Sequence, residues 1–173
     1  MAILKHYNKF IISSLIVLSF FAFGERDLFP QQPNPAEYRV KALFLYNFAK
    51  FVEWPHSIGD TLNICILGDD PFGAYIEGLE DRPLNEQKVK IRRIEAVRDI
   101  KKCQVLFVDS SEDERLDIIV AEATGKGILT VGDSEGNAER GLIIEFYKEN
   151  SDRNEPFGLF LCPDYIPDDH EPE

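Results

Sequence analysis

Three short motifs join a carboxylate to a strand-like apolar run: Gly68-Asp69-Asp70, Val108-Asp109-Ser110 and Gly132-Asp133-Ser134. Acids at the ends of neighbouring parallel strands converge on the crevice where open α/β sheets bind ligands. Asp69, Asp70 and Asp109 would there offer oxygen ligands to a hard divalent cation, or polar contacts to a small ligand. The competing use is local. Asp70 precedes Pro71 at an expected helix start, and Ser111 with Glu114 has the spacing of a capping box. Capping is the plainer reading, with a ligand or cation sensor as the alternative.

Other chemistry finds few parts. The sequence has no G-x-S-x-G, H-E-x-x-H, C-x-x-C or Walker loop. His56 follows Trp54-Pro55 at an expected turn and His170 lies in an acidic tail, so neither suggests a nucleophile triad or a metal site. We therefore expect no catalytic residue, no metal and no cofactor, and a binding protein rather than an enzyme.

The first residues indicate compartment. Lys5 and Lys9 precede an apolar run from Phe10 to Phe23, interrupted only by serines, and Ala22 and Gly24 give a small-x-small ending. The run of 14 residues is shorter than the roughly 20 that span a bilayer as a helix. A signal peptide over 1–24 is expected, with an uncleaved anchor as the alternative; either delivers the rest to the periplasm. Without residues 1–24 the chain has 17 basic and 31 acidic side chains, a net charge of −14. Such a balance argues against a nucleic-acid partner, because phosphate backbones are bound by clustered Lys and Arg. The cluster Lys88, Lys90, Arg92 and Arg93 is explained by alternation along a strand.

An oxidising compartment allows disulfides among Cys65, Cys103 and Cys162. Cys65 falls inside an expected strand and Cys103 just before another, whereas Cys162 lies in a Pro-rich tail. Cys65 to Cys103 is the preferred bridge, with two buried free thiols as the alternative.

The elements that must position these residues follow from periodicity. Residues 25–35 are polar and hold Pro30, Pro33 and Pro35, which reads as a flexible lead. From Ala36 to Trp54 there is no Gly or Pro, and Val40, Leu43, Phe44, Phe48, Phe51 and Val52 recur at helical spacing. Strands are expected at Leu62–Leu67, Val89–Ile94, Val105–Val108, Ile128–Val131 and Leu142–Tyr147, with helices at Pro71–Leu79 and Glu112–Ala123. That alternation predicts an α/β fold in a single domain, 36–150, with a mostly parallel sheet and helices on its faces. Residues 151–173 form an atypical Pro-rich acidic tail, expected to be loose beyond the apolar patch Phe157–Leu161.

The first helix is apolar on more than one side. Leu45, Tyr46 and Ala49 fall off its main stripe, so it needs cover from within the domain or from a partner. Leu45, Tyr46, Phe48, Phe51 and Trp54 are the candidates for a partner or dimer surface, since aromatic anchors are enriched at interface hot spots.

Two long runs carry a resemblance. Glu37-Tyr38-Arg39-Val40-Lys41-Ala42-Leu43-Phe44-Leu45-Tyr46-Asn47-Phe48-Ala49-Lys50-Phe51-Val52-Glu53-Trp54-Pro55 resembles the opening signature of the YfiR-like periplasmic family, and Ile64-Cys65-Ile66-Leu67-Gly68-Asp69-Asp70-Pro71-Phe72-Gly73 continues it. Cys103 to Val108 and Ile128 to Asp133 follow in order, so the similarity spans about residues 37–146. The resemblance implies a periplasmic regulator that binds and represses the periplasmic sensing domain of an inner-membrane diguanylate cyclase, lowering cyclic-di-GMP signalling and biofilm formation. It also implies a homodimer and redox sensitivity through disulfides, with Cys65 and Cys103 at matching cysteine positions. The chain departs from the family where Gly141-Leu142-Ile143-Ile144 replaces a Gly-Gly-Met-Ile run. After Phe146 the family's closing strand and amphipathic helix are not recognisable.

Overall fold

The computed structural model describes residues 34–54, 59–84, 87–147 and 157–163. The signal peptide, most of the lead, His56, and the tail over 151–156 and 164–173, with His170, lie outside the described residues.

Helix α1, Pro35–Phe51, starts where Asn34 Oδ1 accepts a hydrogen bond from Ala36 N at 3.1 Å and Pro35 takes a first-turn position that needs no N–H donor. The chain then runs β1 Thr61–Leu67, α2 Ala74–Glu77, β2 Pro83–Leu84 and β3 Gln87–Ile94. A 3-10 turn, Val97–Lys102, leads to β4 Val105–Val108; a second, Ser110–Arg115, enters α3 Leu116–Ala123; β5 Leu129–Gly132, β6 Ile144–Tyr147 and β7 Gly158–Leu161 follow. One seven-stranded sheet results, in the order β2-β3-β1-β4-β5-β6-β7. Pairing is parallel from β3 through β6 and antiparallel only at the two edges, β2 with β3 and β6 with β7. The expected mostly parallel α/β sheet is therefore what the chain builds.

The central strands are buried on both faces, which is why they read as unbroken apolar runs rather than alternating ones. Ile64, Ile66, Val105, Phe107 and Val131 pack with Ala42, Leu45 and Ala49 of α1 on one face. Cys65, Leu67, Leu106 and Val108 pack with Leu116, Ile119 and Ala123 of α3 on the other. Side chains alternate across the sheet at every residue, so adjacent positions of β1 serve opposite cores.

Two expected helices are shorter than their pattern. Pro71–Leu79 yields a single turn, because Asp70 Oδ1 accepts from Phe72 N at 2.8 Å and holds the chain in a turn before Ala74. Glu112–Ala123 begins as the 3-10 segment and becomes α-helical only at Leu116. A strand that the sequence pattern did not indicate follows: Gly158–Leu161 pairs with β6 in the register Ile144↔Leu161 to Tyr147↔Gly158. The Tyr147 ring lies over Gly158, where a Cβ would displace it.

Candidate functional site

β3 lies on one side of β1 and β4 on the other, so the direction of winding changes between β1 and β4. Asp69, Asp70 and Asp109 stand at the carboxyl ends of these two strands, and Asp133 follows β5. At these strand ends, where open α/β sheets place a ligand crevice, Asp109 lies near enough to Asp133 and Asp69 for their charges to interact, while Asp70 turns toward Arg93. Both oxygens of Asp70 and one of Asp109 are taken by the fold.

Asp70 Oδ1 accepts from Phe72 N at 2.8 Å, while Oδ2 receives Arg93 Nε at 2.7 Å. Asp109 Oδ1 accepts from Ser111 N at 2.9 Å and caps the 3-10 segment. Ser111 thus does not head a capping box with Glu114; its Oγ instead accepts from Asp69 N at 3.0 Å, tying the end of β1 to the turn after β4. This approach needs Gly68, at φ +93°, because a Cβ there would meet Ser111 Oγ at 2.5 Å. Among the described residues, no group of three or more His, Cys, Asp or Glu side chains is arranged to hold a metal ion. Burial raises the Asp109 pKa; hydrogen bonds from Ser111 oppose the rise, and the carboxylates of Asp133 and Asp69 add to it.

The positive charge at the crevice comes from α1. Lys41 Nζ lies 2.6 Å from Glu37 Oε1 and 3.1 Å from Asp133 Oδ2, and all three side chains are buried. The Tyr38 hydroxyl donates to the same Asp133 oxygen at 2.6 Å. Burial first, and then this carboxylate, push the Tyr38 phenol well above the usual tyrosine range. The ammonium also lies 4.6 Å from the Tyr38 ring centroid and 5.4 Å from those of Phe146 and Phe157. Such an enclosed cation is held by paired charge and ring faces together. This cluster escaped the sequence reading; its signal was the i,i+4 pair Glu37 and Lys41 ahead of a strand-end acid.

That charge pair also sets which side of α1 is buried. The apolar pattern alone points to Val40, Leu43 and Phe51, but those are 38%, 43% and 82% exposed. The buried stripe is Glu37, Lys41, Leu45 and Ala49, every fourth residue, with Ala42 beside it. Leu45 is therefore core and presents no surface. Tyr46 is half-buried and donates its hydroxyl to Pro83 O at 2.7 Å. Phe48 is half-buried on Phe44 and Phe146, and Trp54 donates Nε1 to Ala49 O at 2.7 Å. Of the five candidates, Phe51 alone is strongly exposed.

On the opposite face of the sheet, Cys65 and Cys103 form a disulfide with Cα atoms 5.7 Å apart, closing a loop of 38 residues. The bridge ties β1 to the residue that ends the first 3-10 turn. Cys162 is buried and unbridged, its N–H donating to Ile143 O at 3.0 Å beside β7.

The family model described as YfiR/HmsC-like matches residues 38–154, which includes α1 from Tyr38 onward, the sheet through β6 and both bridged cysteines. The chain belongs to the YfiR/HmsC-like family. No curated protein matches it. The YfiR/HmsC-like match begins at Tyr38, so the Tyr38, Lys41 and Asp133 contacts fall wholly inside the family region, whereas β7 lies beyond it.

Proposed function

We propose that this YfiR/HmsC-like protein is a periplasmic regulator that binds the sensing domain of an inner-membrane diguanylate cyclase and represses it. The observation that carries this reading is the family match across residues 38–154. The disulfide between Cys65 and Cys103 fits an exported chain, since such bridges persist in oxidising compartments. Asp70, Asp109 and Asp133 are engaged by backbone donors, Arg93 and Lys41, which favours a structural over a catalytic use of these carboxylates. Repression then works by binding: the chain is held by its disulfide and buried ion cluster in a shape that presents the Phe51 side of α1.

Phe51, at 82% exposure, is the proposed anchor at the C-terminal end of the helix, with Val40 and Leu43 exposed two to three turns earlier. An aromatic ring left in water on a helix gains most by entering a partner's pocket. Homodimerisation is a separate proposal, read from the mass of the purified protein in solution. The binding reading is tested by solubilising membranes that contain the cyclase and capturing the tagged protein. Cyclase should be retained by the native chain and lost with Phe51→Glu; retention by neither counts against the binding reading, and retention by both against Phe51 as its anchor.

A further inference from the structure

We propose that the outer edge of β7 is a docking site for an extended basic segment of a partner protein, which adds an eighth strand to the sheet. The sheet's two edges differ in kind. At one, β2 is two residues long and begins with Pro83, a short Pro-bearing edge of the sort that resists further pairing. At the other, β7 runs Gly158-Leu159-Phe160-Leu161 without a charge or proline, and among the described residues β6 is its only neighbour.

The ladder fixes which groups face outward. Cys162 N donates to Ile143 O at 3.0 Å, so in the register of this antiparallel pair the residues bonded to β6 are 162, 160 and 158. The N–H and C=O groups of Leu159 and Leu161 therefore point away from the sheet. Leu159, Phe160 and Leu161 are 39%, 41% and 51% exposed.

The two faces beside this edge select the occupant. Leu159 and Leu161 stand opposite Phe146 and Ile144, on the face that carries α1. Phe160 stands opposite Glu145 on the other face, at an open cleft of about 700 Å³. Glu135, Glu139 and Glu145 line that cleft with Tyr147, and no basic residue is among its lining. Glu145 is buried, and its one hydrogen bond among the described residues comes from Ala138 N at 2.9 Å. An added strand with apolar residues beside Leu159 and Leu161 and a Lys or Arg beside Phe160 would satisfy both faces, its cation resting on the ring and facing the carboxylates. A second copy of this chain fits less well, because pairing β7 with itself brings two acidic clefts together in a chain of net charge −12.

The proposal needs a binding protein but no particular partner, so a peptide assay reads it separately from cyclase capture. Anisotropy of a labelled octapeptide of alternating Val and Lys is measured with the full chain. It should bind, weaken with salt, and lose roughly tenfold in affinity when its backbone is N-methylated. An alternating Val and Glu peptide should not bind. Leu161→Pro, which removes an outward donor and no bond to β6, should weaken binding by a similar factor with the melting temperature held. Equal binding of the methylated and unmethylated peptides would overturn the proposal. So would no binding of the Lys peptide, or self-association that Leu161→Pro abolishes and the peptide cannot compete.

Discussion

Lys41 Nζ lies 3.1 Å from Asp133 Oδ2 although 92 residues separate them in the chain. The contact pins α1 to the carboxyl end of β5, and Glu37 at 2.6 Å makes it a triad. Two carboxylates around one ammonium leave a buried net negative charge that Tyr38's hydroxyl helps to stabilise.

Breaking this triad from one side should be costly. Lys41→Met leaves Glu37 and Asp133 buried together without a cation, and a loss of about 3–5 kcal/mol is expected. Lys41→Met with Glu37→Gln and Asp133→Asn should recover a large part of it. Urea denaturation of the single and triple variants checks this; equal losses in both would mean that helix docking is indifferent to charge.

The disulfide gives a second expectation. Closing 38 residues should contribute about 4 kcal/mol in the chain-entropy account. Cys65→Ser with Cys103→Ser should lower the melting temperature under oxidising conditions and leave little response to reductant. An unchanged melting temperature removes the bridge from the account of stability.

Which parts of this were legible in sequence follows from where the signal lies. The strands were, because β1, β4 and β5 are buried on both faces and cannot avoid reading as apolar runs. The orientation of α1 was not: a count of apolar residues cannot see that Glu37 and Lys41 neutralise each other and turn Val40, Leu43 and Phe51 outward. β7 was missed because a four-residue strand set in the short stretch between Pro156 and Pro163 carries too little periodicity to read as a strand, and Tyr147 over Gly158 is a contact no local pattern encodes. At the strand ends the capping acceptor differs from the one expected, since Asp109 Oδ1 rather than Ser111 Oγ accepts at the turn.

Asp109 sets a pH dependence whose sign is opposite to that of a salt-bridged carboxylate. Burial raises its folded pKa above the ordinary aspartate value, which is about 3.9. The folded chain therefore holds this proton more tightly than the unfolded chain. Its contribution to stability is greatest below the unfolded pKa and is lost as pH rises through the folded one. Stability of the native chain minus that of Asp109→Asn should fall with rising pH across this window. A difference that rises instead contradicts the assignment.

Gly132 tests the packing behind the crevice. A Cβ there would lie 2.3 Å from Asn137 Oδ1 and 2.7 Å from a Leu142 methyl. Overpacking of this kind costs about 1–3 kcal/mol, so Gly132→Ala should lower the unfolding free energy from urea denaturation by that amount. No change would mean that the Asn137 turn yields freely.

Phe51 separates stability from binding. With its ring 82% exposed, Phe51→Ser should alter stability by no more than about 0.5 kcal/mol. Phe146→Ala, at a ring only 2% exposed, should cost about 3–5 kcal/mol. Thermal denaturation compares the two; similar losses would place Phe51 in a core.

The most direct measurement is the rate of cyclic-di-GMP formation by the cyclase in membrane vesicles whose periplasmic face is open to added protein. The account predicts that the native chain lowers the rate in a saturable way and that Phe51→Glu, equally folded, requires far higher concentrations. An unchanged rate at saturating native protein would contradict it.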